Sequence, residues 1–344
     1  MKFVKPLNVL MTAASRRVPL VRAFQAALRD LDLPGRVIVT DVNPLSPAVH
    51  VADRWHEVPM AGAPEYMDTM LAICRAERIG LVVPTIDDEL VQFGQARERF
   101  EAQGARVAVS PALTSRICND KYQTSLALRA GGVAVAGTWL PNQLPDDVPL
   151  PLFIKPRAGR GGVGAFPVTT PRQLAFFLDY VPDPVVQEFL TGPEFTIDML
   201  CDFECRPLSI VPRERVVIRA GVIDRGRTVR DRALLDLAEA VAGALPFHGP
   251  VNIQCRVVDG RPIVFEINPR FSGGIPLTIA AGADFPRMLV QLARGCHVRP
   301  AIGAFHDDLW MTNYEESVFL EAAGTSGRMR PAQLTAEFAI GEVA

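Results

Sequence analysis

The chain has 344 residues, 49% of them apolar, with 38 acidic and 36 basic side chains and a formal net charge of −2. A chain of that length exceeds one core, so two or three packed units are expected. Its near-neutral charge singles out neither nucleic acid nor an anionic membrane surface as a partner.

The opening stretch MKFVKPLNVLMTAASRR has a short apolar run that ends in polar residues and two arginines, which reads as a first buried strand in a cytoplasmic chain. No run approaches the roughly 18 apolar residues of a membrane-spanning helix. The six cysteines (74, 118, 201, 205, 255 and 296) are scattered, without the paired spacing of a zinc site or a disulfide framework.

The first 110 or so residues alternate as βαβ units. Leu7–Ala13 reads as a buried strand, Val18–Leu31 as an amphipathic helix, and Gly35–Val42 as a second strand ending near Asp41. Ala48–Pro59 supplies a short edge strand and Pro64–Ile79 a helix. Gly80–Leu90 runs from a strand through a turn to a helix start, and Ala105–Ser110 closes a small open parallel sheet. Such sheets bind ligands at the carboxyl ends of their strands. Dinucleotide binding fails there: TAASRRVP after the first strand lacks the glycines of G-x-G-x-x-G, so Asp41 is a strand-end group and not a ribose ligand.

Asn119 or Asp120 caps a helix from Lys121 to the glycine pair at 131–132, and Asn142–Pro151 is a proline-rich connector. A new unit then opens with FIKPRAGRGGVGAF (Phe153–Phe166). Thr170 caps a short helix, and Pro184–Val211 gives a strand, a turn and two more strands. Glu214–Arg230 alternates arginine with valine in strand fashion, and Asp231–Leu245 is a helix. Gly249–Gly274 reads as two antiparallel strands joined at Asp259-Gly260, with a glycine-containing loop after them.

Three stretches carry chemistry. In FIKPRAGRGGVGAF, Gly159, Gly161, Gly162 and Gly164 leave backbone N–H groups free to converge on an anion, with Lys155 adding charge; a plain turn with left-handed glycines accounts for the same residues. It is not a Walker loop, which places its lysine after the glycines. Only Lys2, Lys5, Lys121 and Lys155 are lysine among the 36 basic residues, so the two internal ones mark places where a compact ammonium is wanted instead of a planar fork. In VFEINPRFSGG, Glu266 and Asn268 are two apart on a strand and share a face. An acid set among apolar neighbours needs a partner or a metal, and this pair offers hard oxygens suited to Mg²⁺ bound with substrate phosphates. Gln254, across the hairpin, adds a third oxygen. In VVQEFLTGPEFTIDML, the backbone can bond an adenine edge and Glu194 can accept from ribose hydroxyls.

Together and in this order, NDKYQT, FIKPRAGRGGVG, VVQEFLTGPEFTIDML and VNIQCRVVDGRPIVFEINPRFSGG resemble the signature series of the ATP-grasp superfamily. The likeness is strongest to the branch of the carbamoyl-phosphate synthase large chain and the pyrrolysine-pathway ligase, and spans about residues 7–295. It implies an α/β and α+β chain with an ATP-grasp fold. An N-terminal open parallel-sheet domain (1–112) would precede a helical linker with a small lid (113–188) and a C-terminal antiparallel-sheet domain with the metal site (189–344). It also implies that Lys121 and Lys155 contact nucleotide phosphates and that the Gly159–Gly164 loop closes over them. The main chain at Glu188, Phe189 and Leu190 would hold adenine, and Glu194 the ribose. Gln254, Glu266 and Asn268 would bind Mg²⁺, or Mn²⁺ in its place, while Arg270 steadies the transferred phosphoryl group. The turn PTIDDEL (Pro84–Leu90) matches one found in that branch and would shape the substrate side.

The activity so implied is ATP-dependent joining of a small carboxylate, such as an amino acid, to an amine through an acyl phosphate, with release of ADP and phosphate. Arg213 and Arg215 are the best candidates for gripping the carboxylate, because guanidinium forks do so bidentately. Ser272, Gly273 and Gly274 would line the acceptor site. Partners are then small molecules, with a homodimer compatible and no nucleic acid or membrane involved. A carbamate-forming enzyme of carbamoyl-phosphate synthase type and a catalytically idle ATP-binding subunit are the alternatives. The complete set of Lys155, Glu266, Asn268 and Arg270 argues against idleness.

Overall fold

Parallel strands need crossover connections, ordinarily helices that cover the faces of the sheet, and the first third of the chain supplies them. The computed structural model describes residues 5–323 and 328–331, apart from 146, 160, 161 and 220. In this first third, β1 (Asn8–Met11), α1 (Val18–Asp30), β2 (Val37–Asp41), β3 (Arg54–Glu57), α2 (Tyr66–Ala76), β4 (Ile79–Val83), α3 (Asp87–Glu101) and β5 (Arg106–Val107) follow in order. The strands form a parallel sheet ordered β3-β2-β1-β4-β5. The order reverses at β1, so a crevice opens between the carboxyl ends of β1 and β4. Asp41 is spent locally there, accepting from the Ser15 and Asn43 amides at 2.7 and 2.9 Å.

That crevice is locked by one carboxylate. Glu89 is fully buried; Oε1 accepts from Thr12 Oγ1 (2.7 Å) and the Thr85 and Ile86 amides (2.8 and 3.3 Å), and Oε2 from the Tyr66 hydroxyl (2.6 Å). Burial raises the Glu89 pKa against the pull of these donors, and burial beside Glu89 pushes the Tyr66 phenol up.

A helical linker, α4 (Ala112–Asn119) and α5 (Lys121–Ala130), leads to a four-stranded antiparallel sheet. Asp120 is the α5 cap, accepting from the Tyr122 and Gln123 amides. The sheet takes the order β6-β9-β7-β8 from β6 (Thr138–Trp139), β7 (Leu152–Pro156), β8 (Phe166–Val168) and β9 (Pro184–Glu188), with α6 (Pro171–Tyr180) capped by Thr170 on one face.

The rest centres on a six-stranded antiparallel sheet, β14-β13-β10-β11-β12-β15. Its elements are β10 (Glu194–Cys201), β11 (Pro207–Arg219), β12 (Val222–Thr228), α7 (Arg232–Ala244), β13 (Gly249–Val258), β14 (Arg261–Asn268), α8 (Ile275–Ala280), α9 (Phe285–Ala293) and β15 (Trp310–Thr312). A separate hairpin pairs β16 (Leu320–Ala323) with β17 (Arg328–Pro331). The expected α/β and α+β architecture is therefore the observed one. Two local expectations change: the run Glu214–Arg230 folds back on itself as the β11–β12 hairpin, and β5 keeps only two paired residues.

The N-terminal sheet does not close its own core. One apolar cluster joins Val9, Met11, Phe24 and Val39 to Phe271, Ile275, Phe285, Leu289 and Val290, with Phe24 and Phe271 edge to face at 6.0 Å. The loop after β14 is thus packed onto α1. Among the described residues no helix is long and apolar enough to cross a membrane.

Replacing Glu89 by Ala leaves the Thr12, Tyr66 and Thr85 donors buried without an acceptor. At about 1–3 kcal/mol for each unsatisfied group, a loss of about 3 kcal/mol or more is expected, read from the fall in the urea unfolding midpoint.

Candidate functional site

Strand β7 alternates cleanly: Leu152 and Ile154 enter the lid core, while Phe153 and Lys155 point into a cavity of about 360 Å³ between the lid sheet and the six-stranded sheet. Lys155 is only 5% exposed, and among the described residues its Nζ has one hydrogen bond, a long one of 3.4 Å to the Phe265 carbonyl, beside the Phe265 ring. Burial lowers its pKa from 10.5 to about 8, against the attraction of Glu266. An ammonium this dry, with so little to bond, suits an anion.

Lys121 caps the same wall: its Nζ donates to the Gly159 carbonyl at 2.9 Å, and its amide to the Arg157 carbonyl at 3.0 Å. Arg157 in turn pairs with Asp120. The stem of the glycine loop is therefore pinned to the start of α5. Gly159, Gly162 and Gly164 all take left-handed φ values (121°, 70° and 71°), which side chains resist. Gly161 lies outside the described residues.

The adenine-side stretch follows β9. The Glu188 amide donates to the Gly137 carbonyl (2.8 Å) and its carboxylate accepts from the Gly137 amide (3.1 Å). Beyond it, Phe189 and Leu190 line the cavity, with the Phe189 and Phe153 rings 6.4 Å apart. Two rings on one wall suit a flat apolar base. Glu194 is gripped by two guanidiniums, Arg215 Nη1 and Arg256 Nη2, each at 2.6 Å.

The opposite wall is the β13–β14 hairpin. Asp259 and Gly260 both have positive φ (49° and 76°), the conformation of a two-residue hairpin turn. The register runs evenly to Cys255 opposite Val264, then skips Phe265 so that Gln254 faces Glu266. This bulge reverses the phase of the strand. Val264 and Ile267, three apart, both enter the core, while Phe265 and Glu266 both reach the cavity. It also turns the Phe265 carbonyl toward Lys155 and Gln187.

A hydrogen-bonded chain leaves the cavity along β14. Asn268 Nδ2 donates to Glu266 Oε1 (3.1 Å), and Asn268 Oδ1 accepts from Arg270 Nη2 (3.2 Å). Gln254 donates through Nε2 to Asn252 Oδ1 (3.3 Å), so its amide oxygen is the end it can offer to the cavity. Among the described residues no cluster of three His, Cys, Asp or Glu side chains could hold a metal alone. One carboxylate and two amide oxygens instead fit a hard cation that brings further oxygens with it, as Mg²⁺ does on phosphates.

Two family models match. One, described as "ATP-grasp in the biosynthetic pathway with Ter operon", covers residues 180–317; the other, "PylC-like, N-terminal domain", covers residues 9–108. The chain belongs to the ATP-grasp superfamily. Among curated relatives, the carbamoyl phosphate synthase arginine-specific large chain of Bacillus subtilis is 25% identical over 316 residues, covering 83% of this chain but only 29% of that protein. Of solved ATP-grasp-like structures, the L-amino acid ligase of Bacillus licheniformis aligns with a TM-score of 0.65 at 20% identity, over 86% of this chain and 78% of that one. The N5-carboxyaminoimidazole synthetase of Staphylococcus aureus complexed with ADP aligns at 0.69 and 13% identity, over 88% and 80%. At these identities the structural likeness speaks for the ATP-grasp fold alone.

Within this ATP-grasp chain, one cavity gathers Lys121, Lys155, Gly159, Gly162, Glu188, Phe189, Leu190, Glu194, Gln254 and Glu266. Gly164 sits behind the loop against Pro156. The two candidate carboxylate grips part company. Arg215 borders the cavity, held by Glu194 and, through Nη2, by the Gly221 carbonyl (2.8 Å). Arg213 is 1% exposed beneath the loop after β14, paired with Asp198 at 2.8 Å and donating to Ser272 Oγ at 3.0 Å. Ser272 and Gly274 are buried with it, a Cβ at Gly274 would collide with the Arg213 guanidinium, and Gly273 alone of the three is exposed. Arg256 was missed by sequence reading, although it stands two residues from Gln254 on one strand and a period-two count finds it.

The Lys155 amine sets a pH dependence. Near pH 8 about half of it is neutral in the free chain, and bound phosphates favour the ammonium, so nucleotide binding there should take up about half a proton. Affinity for ATP is expected to hold below pH 8 and then fall by up to about tenfold per pH unit. Calorimetry in buffers of differing ionisation heat checks this; binding without proton uptake at pH 8 would remove Lys155 from the phosphate site.

Proposed function

We propose that the chain is an ATP-dependent carboxylate–amine ligase working through an acyl phosphate, with an amino acid or similar small carboxylate as the activated substrate. The observation that carries this reading is the cavity with the underbonded Lys155 ammonium on one wall and the Gln254–Glu266 pair on the other. Its curated relatives include a D-alanine–D-alanine ligase of Haemophilus ducreyi, 30% identical over 132 residues that make up 35% of this chain and 43% of that protein. The solved L-amino acid ligase and the ADP complex described above share the fold in which this reading is set.

In this reading Phe153, Phe189, Leu190 and the Glu188 backbone hold adenine, and Glu194 faces the ribose with its charge balanced by Arg215 and Arg256. Lys121 exchanges the Gly159 carbonyl for a phosphate oxygen, which releases the glycine loop to close over the nucleotide and exclude water. Lys155 neutralises phosphate charge. Gln254, Glu266 and Asn268 are the residues that would hold Mg²⁺, which supplies charge neutralisation on the phosphate oxygens. Arg270 steadies the phosphoryl group passing to the carboxylate. Arg213 supports the acceptor loop from below instead of touching substrate. Phosphoryl transfer asks for little beyond this placement, and no side-chain nucleophile is required.

The test is ADP and phosphate release on adding paired amino acids with Mg²⁺. Turnover with one pair and its loss on chelation are expected. Bicarbonate-dependent release without an amino acid would favour the carbamate-forming alternative, and nucleotide binding with no turnover for any pair the idle one. Glu266→Gln is expected to cut turnover by about 10²–10³-fold while adenine nucleotide still binds. A rate unchanged by that substitution would sink the metal assignment.

A further inference from the structure

Arg270 reaches outside its own sheet. Its Nε and Nη2 both donate to Asp87 Oδ2, at 3.1 and 2.9 Å, across 183 residues of chain, and the pair is largely buried, with side chains 9% and 15% exposed. Nη2 also donates to Asn268 Oδ1 and Nη1 to the Phe271 carbonyl at 3.1 Å. A guanidinium has five N–H donors. Four are engaged here, and two of those four go to one oxygen of the N-terminal unit.

Asp87 is the first residue of α3, immediately after the turn that Glu89 locks. A carboxylate there would ordinarily serve the helix N-terminus. Instead it is turned onto Arg270, and nothing in its own helix requires that. The same junction is braced by Arg17, which donates to the Thr85 carbonyl (2.8 Å) and to the Phe271 and Ser272 carbonyls (3.2 and 3.4 Å). The turn Pro84–Leu90 and the loop after β14 therefore sit in fixed relation.

We propose that Asp87 is the positioning residue for Arg270, so that the N-terminal unit sets the aim of the arginine that meets the transferred phosphoryl group; this rests on the ligase reading above. Were Asn268 Oδ1 to help hold Mg²⁺, Nη2 would lose that partner while Asp87 kept the guanidinium plane in place. The freed Nη2–H and the remaining Nη1–H would then form the fork offered to the phosphoryl oxygens. Without Asp87 the guanidinium would lean on Glu266 and Asn268, the groups it must leave clear.

The test follows phosphoryl transfer from acetyl phosphate, the acyl phosphate of a small carboxylate, to MgADP by the full chain. The phosphoryl group leaves the acyl oxygen for the β-phosphate oxygen of ADP, giving acetate and ATP. Asp87→Asn is expected to slow this step by about 10²-fold, with MgADP affinity within about threefold of the parent. Asp87→Glu should recover much of the rate. In an Arg270→Ala background Asp87 has already lost its partner, so Asp87→Asn, which removes that unpaired charge, should cost no further rate. An Asp87→Asn chain at the parent rate, or one whose loss persists undiminished in the Arg270→Ala background, would overturn the positioning role while leaving the ligase standing. A parent chain that binds MgADP and transfers nothing would overturn the ligase reading and, with it, the role of Asp87.

Discussion

One skipped residue in one hairpin governs the candidate site. Because side chains alternate with period two, a uniform register from the Asp259-Gly260 turn would leave Glu266 on the same face as Val264, inside the core. The bulge at Phe265 costs one ladder position and reverses the phase. It delivers Glu266 to the cavity and a free carbonyl to Lys155 with the same displacement. Acid, amide and ammonium therefore stand or fall together: a slip of one residue would bury the carboxylate and expose an isoleucine.

The remainder of the molecule holds two walls around that strand. The lid contributes backbone and small residues, whose conformations demand glycine and whose stem is tied to α5. The six-stranded sheet contributes charge in balanced layers: Glu194 between two arginines at the cavity, and Arg213 with Asp198 below it. Buried pairs of this kind add little net stability, but breaking one strands a charge, so they act as fixed struts. The N-terminal sheet shares its core with the loop and helices after β14, and so holds the far end of the strand still.

Much of this was readable beforehand. A cap at Asn119 or Asp120, and one at Thr170, were legible because a short polar side chain before an apolar-periodic run has few other uses, and Asp259-Gly260 because only such residues tolerate two positive φ values; the structure gives the first cap to Asp120. The order of lysine, glycine loop and FEINPR made the superfamily legible. What escaped was non-local. The bulge at Phe265 leaves no mark in composition, since FEIN obeys alternation as written. The different fates of Arg213 and Arg215, two apart on β11, depend on what lies over each: the Ser272–Gly274 loop for one, open cavity for the other. Helix α4 was unassigned because its inward face is Thr114, Ser115 and Cys118, which gives no apolar period. Asp87 lay within a noted turn, yet its partner is 183 residues away.

The scarcity of lysine gives the cavity a built-in chemical handle. An amine ionising near pH 8 is a far better nucleophile at neutral pH than an ordinary surface lysine, and this chain has only three others to compete with it. Cyanate or an activated ester would therefore acylate few positions, and a phosphate seated on Lys155 would hold it protonated and inert. On the proposed ligase reading, an acyl phosphate formed beside an unguarded amine would modify the protein, so a phosphate held on Lys155 would also keep that amine from becoming the acceptor.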